Sequence, residues 1–259
     1  MRIDTYFASN KKMLQISKIM ALNFMLRNYS NPNIGPTLKR GTILKKVFVC
    51  FFLAVVATPH MNMSHLPPSF KVFGSSTSNK TWIYLCGLRN EFLPEYMDEL
   101  KVLDTIGKQL NIKFLAMIPK SRCPQLNNRL CWPHDTEQEL LQTYQEIILT
   151  TRNQPIQGYI GFSNGGFFLN KLAQFVEIYK PIISIGAAGP LFNKQGPINA
   201  IYLLIGKKDH WHYEHAVSLY DQSKNTNLII HLIEYNEGHQ VPTNSLKKLI
   251  EGFLENNKN

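Results

Sequence analysis

The sequence predicts an α/β fold: a mostly parallel sheet of about six or more strands with helices on both faces. From residue 81 onward, short β-branched or aromatic runs alternate with amphipathic stretches of helical spacing. The runs are apolar throughout rather than alternating with polar residues, as strands buried under helices on both sides must be. The chain has 259 residues, 44% of them hydrophobic, which is ample for a buried core. With 18% charged and 11% aromatic residues, the composition excludes wholesale disorder and collagen-like or coiled-coil designs.

Predicted strands fall at 81–87, 112–119, 156–162, 182–187, 200–206 and 228–235, with a short edge strand near 70–73. A helix over 95–110 places Leu100, Leu103, Ile106 and Leu110 on one face. A second over 137–150 does the same with Leu140, Leu141, Tyr144, Ile147 and Ile148. Helical spacing recurs over 164–179, 213–223 and 245–254. Asp135, ahead of Glu137 and Glu139, reads as the start of the second helix.

The net charge of +10 is unevenly placed. Residues 1–57 hold nine basic residues and one acid, Asp4, leaving 19 basic and 17 acidic residues for the rest. The remainder is nearly neutral, so a nucleic-acid partner is not expected. Lys39, Arg40, Lys45 and Lys46 precede the uncharged run Val47 to Ala57. That run suits a signal-peptide core and falls short of the roughly 20 residues a bilayer-spanning helix needs. The predicted organisation is a basic leader over 1–57, cleaved after Ala57, a polar linker over 58–80 and one α/β domain over 81–259. The expected protein is exported and has no integral membrane segment in its mature chain. Met20 and Met25 are alternative starts. Export implies an oxidising compartment, in which Cys123 and Cys131, flanking a polar loop, are a candidate disulfide. Cys86 sits in an apolar run and reads as an inert core residue.

The chemistry centres on Ile156-Gln-Gly-Tyr-Ile-Gly-Phe-Ser163-Asn164-Gly165-Gly166. An apolar strand runs directly into G-x-S-x-G and a helical pattern follows, the setting a nucleophile elbow requires. A tight turn there holds the serine in a strained conformation, with Gly161 and Gly165 where strand and helix crowd it. A hydroxyl needs a base, and the base an orienting acid. Asp209 follows the run 200–206, and His239 follows 228–235, so each candidate lies in a loop after its own strand.

These residues make the chain resemble the α/β-hydrolase superfamily, over about 81–256. The resemblance rests on Gly161-Phe-Ser163-Asn-Gly165-Gly166, Gly206-Lys-Lys-Asp209 and Glu237-Gly238-His239. It implies Ser163 as nucleophile, His239 as general base and then acid, and Asp209 as the group orienting His239. It implies an oxyanion hole made by the amide of Asn164 and a second amide in the loop 85–89, assigned to Leu88. Cys86-Gly87-Leu88 departs from the family's common His-Gly motif, which leaves that second donor open. Asp135 and Glu234 are alternative acids. His134, His210, His212 and His215 are expected to line a pocket or face solvent.

The gap between the strands near 189 and 200 is short, and since members of the family it resembles usually insert a cap domain there, the resemblance implies no cap and an open site. The segment 120–135, with Trp132 and His134, and Trp211 after Asp209 are candidate pocket walls. The expected reaction is hydrolysis of a carboxylic ester of a small or single-chain substrate through an acyl-enzyme. Thioesterase or lysophospholipase-type activity is the alternative, and a non-catalytic binding protein on the same fold is a second class. No cofactor is expected, and no metal, because His-x-His at 210 and 212 has no carboxylate spaced to complete a site.

Overall fold

The computed structural model describes residues 69–259 apart from 95, 96, 192, 194, 195 and 257–259. The basic leader, its apolar core and the expected cleavage after Ala57 lie outside the described residues. Strand β1 is Ser69–Gly74, β2 is Thr81–Leu85, and helix α1 is Asp98–Leu110. Then come β3 (Lys113–Ile118), the short β4 (Arg122–Cys123), β5 (Arg129–Leu130) and α2 (Glu137–Thr151). Strand β6 (Ile156–Phe162), α3 (Asn164–Leu172), β7 (Ile182–Ile185) and β8 (Asn199–Gly206) follow. Helix α4 (His210–Ser223), β9 (Leu228–Tyr235) and α5 (Thr243–Asn256) complete the chain order.

Seven strands form one sheet in the order β1-β3-β2-β6-β7-β8-β9. Every pairing is parallel except that of β1 with β3. The antiparallel β1 is the edge strand expected near 70–73, so the sheet begins within the stretch otherwise read as a linker. All five residues of β2 are buried, with alternate side chains serving opposite faces. Ile83 and Leu85 join the core layer under α2, α3 and α4, whereas Trp82 and Tyr84 join the one under α1 and α5. This two-sided burial is why the strand runs show no polar alternation.

Register then positions the site. Leu85 pairs with Gly161, Phe162 with Ile185, and Gly206 with Tyr235, so the carboxyl ends of the parallel strands align along one edge. The loops after β2, β6, β7, β8 and β9 all emerge there, the edge at which open α/β sheets place ligands. From Ile185 to Asn199 the chain makes only a short connection, with no inserted domain.

Several helix ends differ from expectation, two of them with a clear cause. Helix α2 is capped by Thr136 rather than Asp135. Thr136 and Glu139 form a reciprocal capping box, while the carboxylate of Asp135 accepts from Gln125. Helix α3 ends at Leu172 although apolar spacing continues to 179. Asn199, at the start of β8, donates to the carbonyls of Ala173 and Val176 and accepts from the amide of Ile178. That buried side chain supplies partners for backbone groups that have left the helix. Among the described residues no helix is long and apolar enough to cross a membrane.

Candidate active site

Ser163 is the first residue beyond β6 and the N-cap of α3, with φ 51° and ψ −118°. A non-glycine residue in that region is uncommon and strained, and it persists only where packing over-determines it. The glycines supply the packing. A methyl group on Gly161 would strike the backbone of Gly165 and Gly166, and one on Gly165 would strike the carbonyls of Leu85 and Cys86. Strand, turn and helix thus close to backbone contact around the serine. Asn164 is the first residue of α3, so its amide has no intrahelical acceptor and is free to donate.

His239 lies in the loop after β9, and its Nδ1 is 2.6 Å from Oδ2 of Asp209, the N-cap of α4. Its ring packs on Phe162 with centroids 4.9 Å apart. Ser163 and His239 line the same open cavity of about 900 Å³. Burial works to raise the carboxyl of Asp209, but the hydrogen bonds from His212 and His239 outweigh it and hold it below the ordinary value. The carboxylate is therefore ionised at neutral pH.

Of the alternative acids, Glu234 is engaged by Lys207 at 2.9 Å and by the hydroxyl of Tyr213. Asp135, held by Gln125, lies outside the cavity that contains Ser163. Leu88 lines that cavity, next to Gly87. The neighbouring amide, on Arg89, is engaged by the carbonyl of Leu130 at 3.2 Å, which leaves Leu88 the freer donor in that loop.

The expected pocket walls are placed differently. Trp132 is fully buried, its indole N–H donating to the carbonyl of Cys86 and its amide to Oδ1 of Asn164. It braces the site from beneath. His134 bonds the carbonyl of Trp132 through Nδ1 and is not part of the cavity wall. Trp211 is 56% exposed and packs on His212 and His215 beside the cavity. The actual wall comes mainly from the loop after β2 and the start of α1, including Arg89, Leu93, Met97 and Glu99. Arg129 is the contribution of the 120–135 segment. Arg89 and Glu99 form an ion pair there. Sequence reasoning missed this wall, since nothing in 88–99 signals it beyond its position after β2.

Cys123 and Cys131 are joined in a disulfide with Cα atoms 6.0 Å apart. Cys86 is fully buried, and burial pushes its thiol up to about 12, so it stays protonated.

The largest change of role concerns His212, which was expected only to line a pocket or face solvent. Its Nδ1 is 2.8 Å from Oδ1 of Asp209, and its ring stacks on that of His239 with centroids 4.3 Å apart and planes 16° apart. Asp209, His212 and His239 bring ligand-capable atoms within 4.8 Å of one another, so a carboxylate does stand beside these histidines, contrary to the sequence reading. Both Nδ1 atoms are committed to that carboxylate from parallel rings. A zinc ion would need the nitrogens to converge on one point about 2 Å from each, breaking both hydrogen bonds. Asp-x-x-His across a helix start was the available signal, because residues three apart share a face.

Neither a family model nor a curated protein matches this sequence. Solved structures do. A carboxylesterase from Mesorhizobium loti superposes with a TM-score of 0.56 at 11% identity, covering 73% of this chain and 97% of that one. A carboxylesterase from Bacillus cereus gives 0.52 at 15% identity, over 80% and 98%. This chain has the α/β-hydrolase fold. The acyl-protein thioesterase 2 of Zea mays is a further neighbour, with a TM-score of 0.52 at 15% identity over 71% and 98%.

Proposed function

We propose that this protein is a serine hydrolase that cleaves a carboxylic ester of a small or single-chain substrate through an acyl-enzyme. The observation that carries the reading is Ser163, strained at a strand-to-helix turn, sharing a cavity with a histidine that is hydrogen-bonded to an ionised aspartate. With Nδ1 of His239 given to Asp209, Nε2 is the nitrogen left to take the proton of Ser163. The hydroxyl oxygen attacks the ester carbonyl, and the amides of Asn164 and Leu88 receive the oxyanion. Collapse of that intermediate breaks the ester C–O bond, with the proton on Nε2 passing to the leaving alkoxide. Water then repeats the sequence on the acyl-enzyme, using the same base. Each oxyanion donor of this kind contributes about 3 kcal/mol of barrier lowering.

Likeness to the maize acyl-protein thioesterase supports a second reading, thioester hydrolysis, which the same machinery performs with a thiolate leaving group. The open cavity and the short β7–β8 connection favour soluble substrates over long-chain lipids, which need a covering lid. We further propose that the chain is exported by its basic leader. The Cys123–Cys131 disulfide suits an oxidising compartment, and N-terminal sequencing of exported protein tests cleavage after Ala57.

Replacing Ser163 with Ala should abolish labelling by a fluorophosphonate and lower turnover of p-nitrophenyl esters by about 10⁵-fold or more, with the fold intact. Unchanged labelling refutes the assignment. Esters of graded chain length, run beside matching thioesters, separate the two readings.

A further inference from the structure

The carboxylate of Asp209 has two occupied faces, and the proposed reaction uses one of them. Oδ2 faces His239 at 2.6 Å and Oδ1 faces His212 at 2.8 Å. Asp209 is also the N-cap of α4, where an aspartate side chain ordinarily accepts from the amides of the first helical turn, yet it makes no such bond. The imidazole of His212 stands in for those amides. It is mostly buried, its ring lies flat on His239, and on its other sides it meets Trp211 and Phe167.

We propose that His212 is a positioning residue for the hydrolase reaction: its Nδ1–H holds Oδ1 of Asp209, and its ring backs His239, so that Oδ2 stays aimed at His239. This rests on the serine-hydrolase reading and adds to it a fourth side chain. Without that donor, Oδ1 is drawn to the free amides and positive end of α4, and the carboxylate turns away from His239. For this task His212 must carry a proton on Nδ1, which in the neutral ring means the Nδ1–H tautomer. Burial lowers its affinity for a proton, and although the Asp209 hydrogen bond opposes that, the result lies below the ordinary imidazole value. The other titratable groups facing the cluster are His215 on α4, Tyr235 on β9 and Glu237 in the following loop. Burial, Asp209 and Glu237 together hold the Tyr235 phenol protonated far above neutrality. No proton needs to pass to Asp209 or His212 at any step; the proton of Ser163 goes to His239 and on to the leaving group.

Two variants isolate the hydrogen bond. His212→Phe keeps a ring to stack on His239 but has no donor. His212→Asn has no ring but carries an amide N–H at the same bond count from Cα as Nδ1. The rate of fluorophosphonate labelling of Ser163, followed against pH, needs no knowledge of the natural substrate. In His212→Phe the plateau should fall about 100-fold, the cost of a misplacement near 1 Å. His212→Asn should keep the plateau within about threefold of the parent. A space-filling role predicts the reverse order of the variants, and that order overturns the proposal. In the Ser163→Ala protein, ¹⁵N NMR should find His212 as the Nδ1–H tautomer at neutral pH. An Nε2–H tautomer, or a freely titrating ring, overturns the proposal even if the protein proves to have no hydrolase activity. Absence of labelling in the parent refutes the hydrolase reading alone.

Discussion

The two halves of the site are held in place by different means. On the serine side, β6, the turn at Ser163 and α3 meet in backbone contact, and Gly161, Gly165, Gly166 and Asn164 are buried. On the histidine side, Asp209 and His239 stand on loops after β8 and β9, and the His239 side chain is 35% exposed. Main-chain packing fixes the serine, while side-chain hydrogen bonds fix the histidine. Damage to the first should therefore appear as lost stability, and damage to the second as lost rate in a protein that still folds.

The sharpest test of that division is Asp209→Asn. It leaves the sheet untouched but removes the negative charge and turns one of the two acceptor oxygens into an NH2 donor facing an imidazole, so turnover should fall by about 10⁴-fold. Circular dichroism should show the parent fold; an unfolded variant would break the comparison. Gly165→Ala is the converse. Its methyl group meets the carbonyl of Leu85 with no room to move, and overpacking of this kind costs about 1–3 kcal/mol. The melting temperature should drop by roughly 2–12 °C for a chain of this size, measured by calorimetry. Cys123→Ser opens the disulfide between β4 and Cys131. Releasing so short a loop costs about 2 kcal/mol in the chain-entropy account, so melting should fall by roughly 4–8 °C. Its turnover should also fall, since the segment from Leu130 to Trp132 bonds Arg89, next to Leu88, and the side chain of Asn164; unchanged kcat would separate that loop from the chemistry. Smallest is Thr136→Ala, which removes the capping box of α2 far from the cavity. About 1 kcal/mol of stability and no activity should be lost.

The serine side was legible because its causes are local. An apolar strand, a G-x-S-x-G turn and a helical pattern lie in one stretch of chain, and backbone sterics alone explain their order. The histidine side was half legible. Asp209 and His239 could be placed because each follows a strand, but His212 could not. Its role depends on α4 starting at His210, three residues earlier than apolar spacing indicated. Helix α3 was read too long for a related reason: what stops it is Asn199, more than twenty residues away. Trp132 looked like a pocket wall because a loop tryptophan carries no mark of burial. Only the fold turns it inward, onto Cys86 and Asn164. Contacts between distant segments leave no periodicity to read.

One consequence concerns the short β4–β5 ribbon. Leu130 exchanges both backbone hydrogen bonds with Arg89, and two residues later the amide of Trp132 holds the side chain of Asn164. The two amides proposed to receive the oxyanion, on Leu88 and Asn164, are thus each within one residue of an atom gripped by the same three-residue stretch. For the proposed oxyanion hole, one short ribbon ties together two loops distant in sequence, so a change in that ribbon reaches both amides at once.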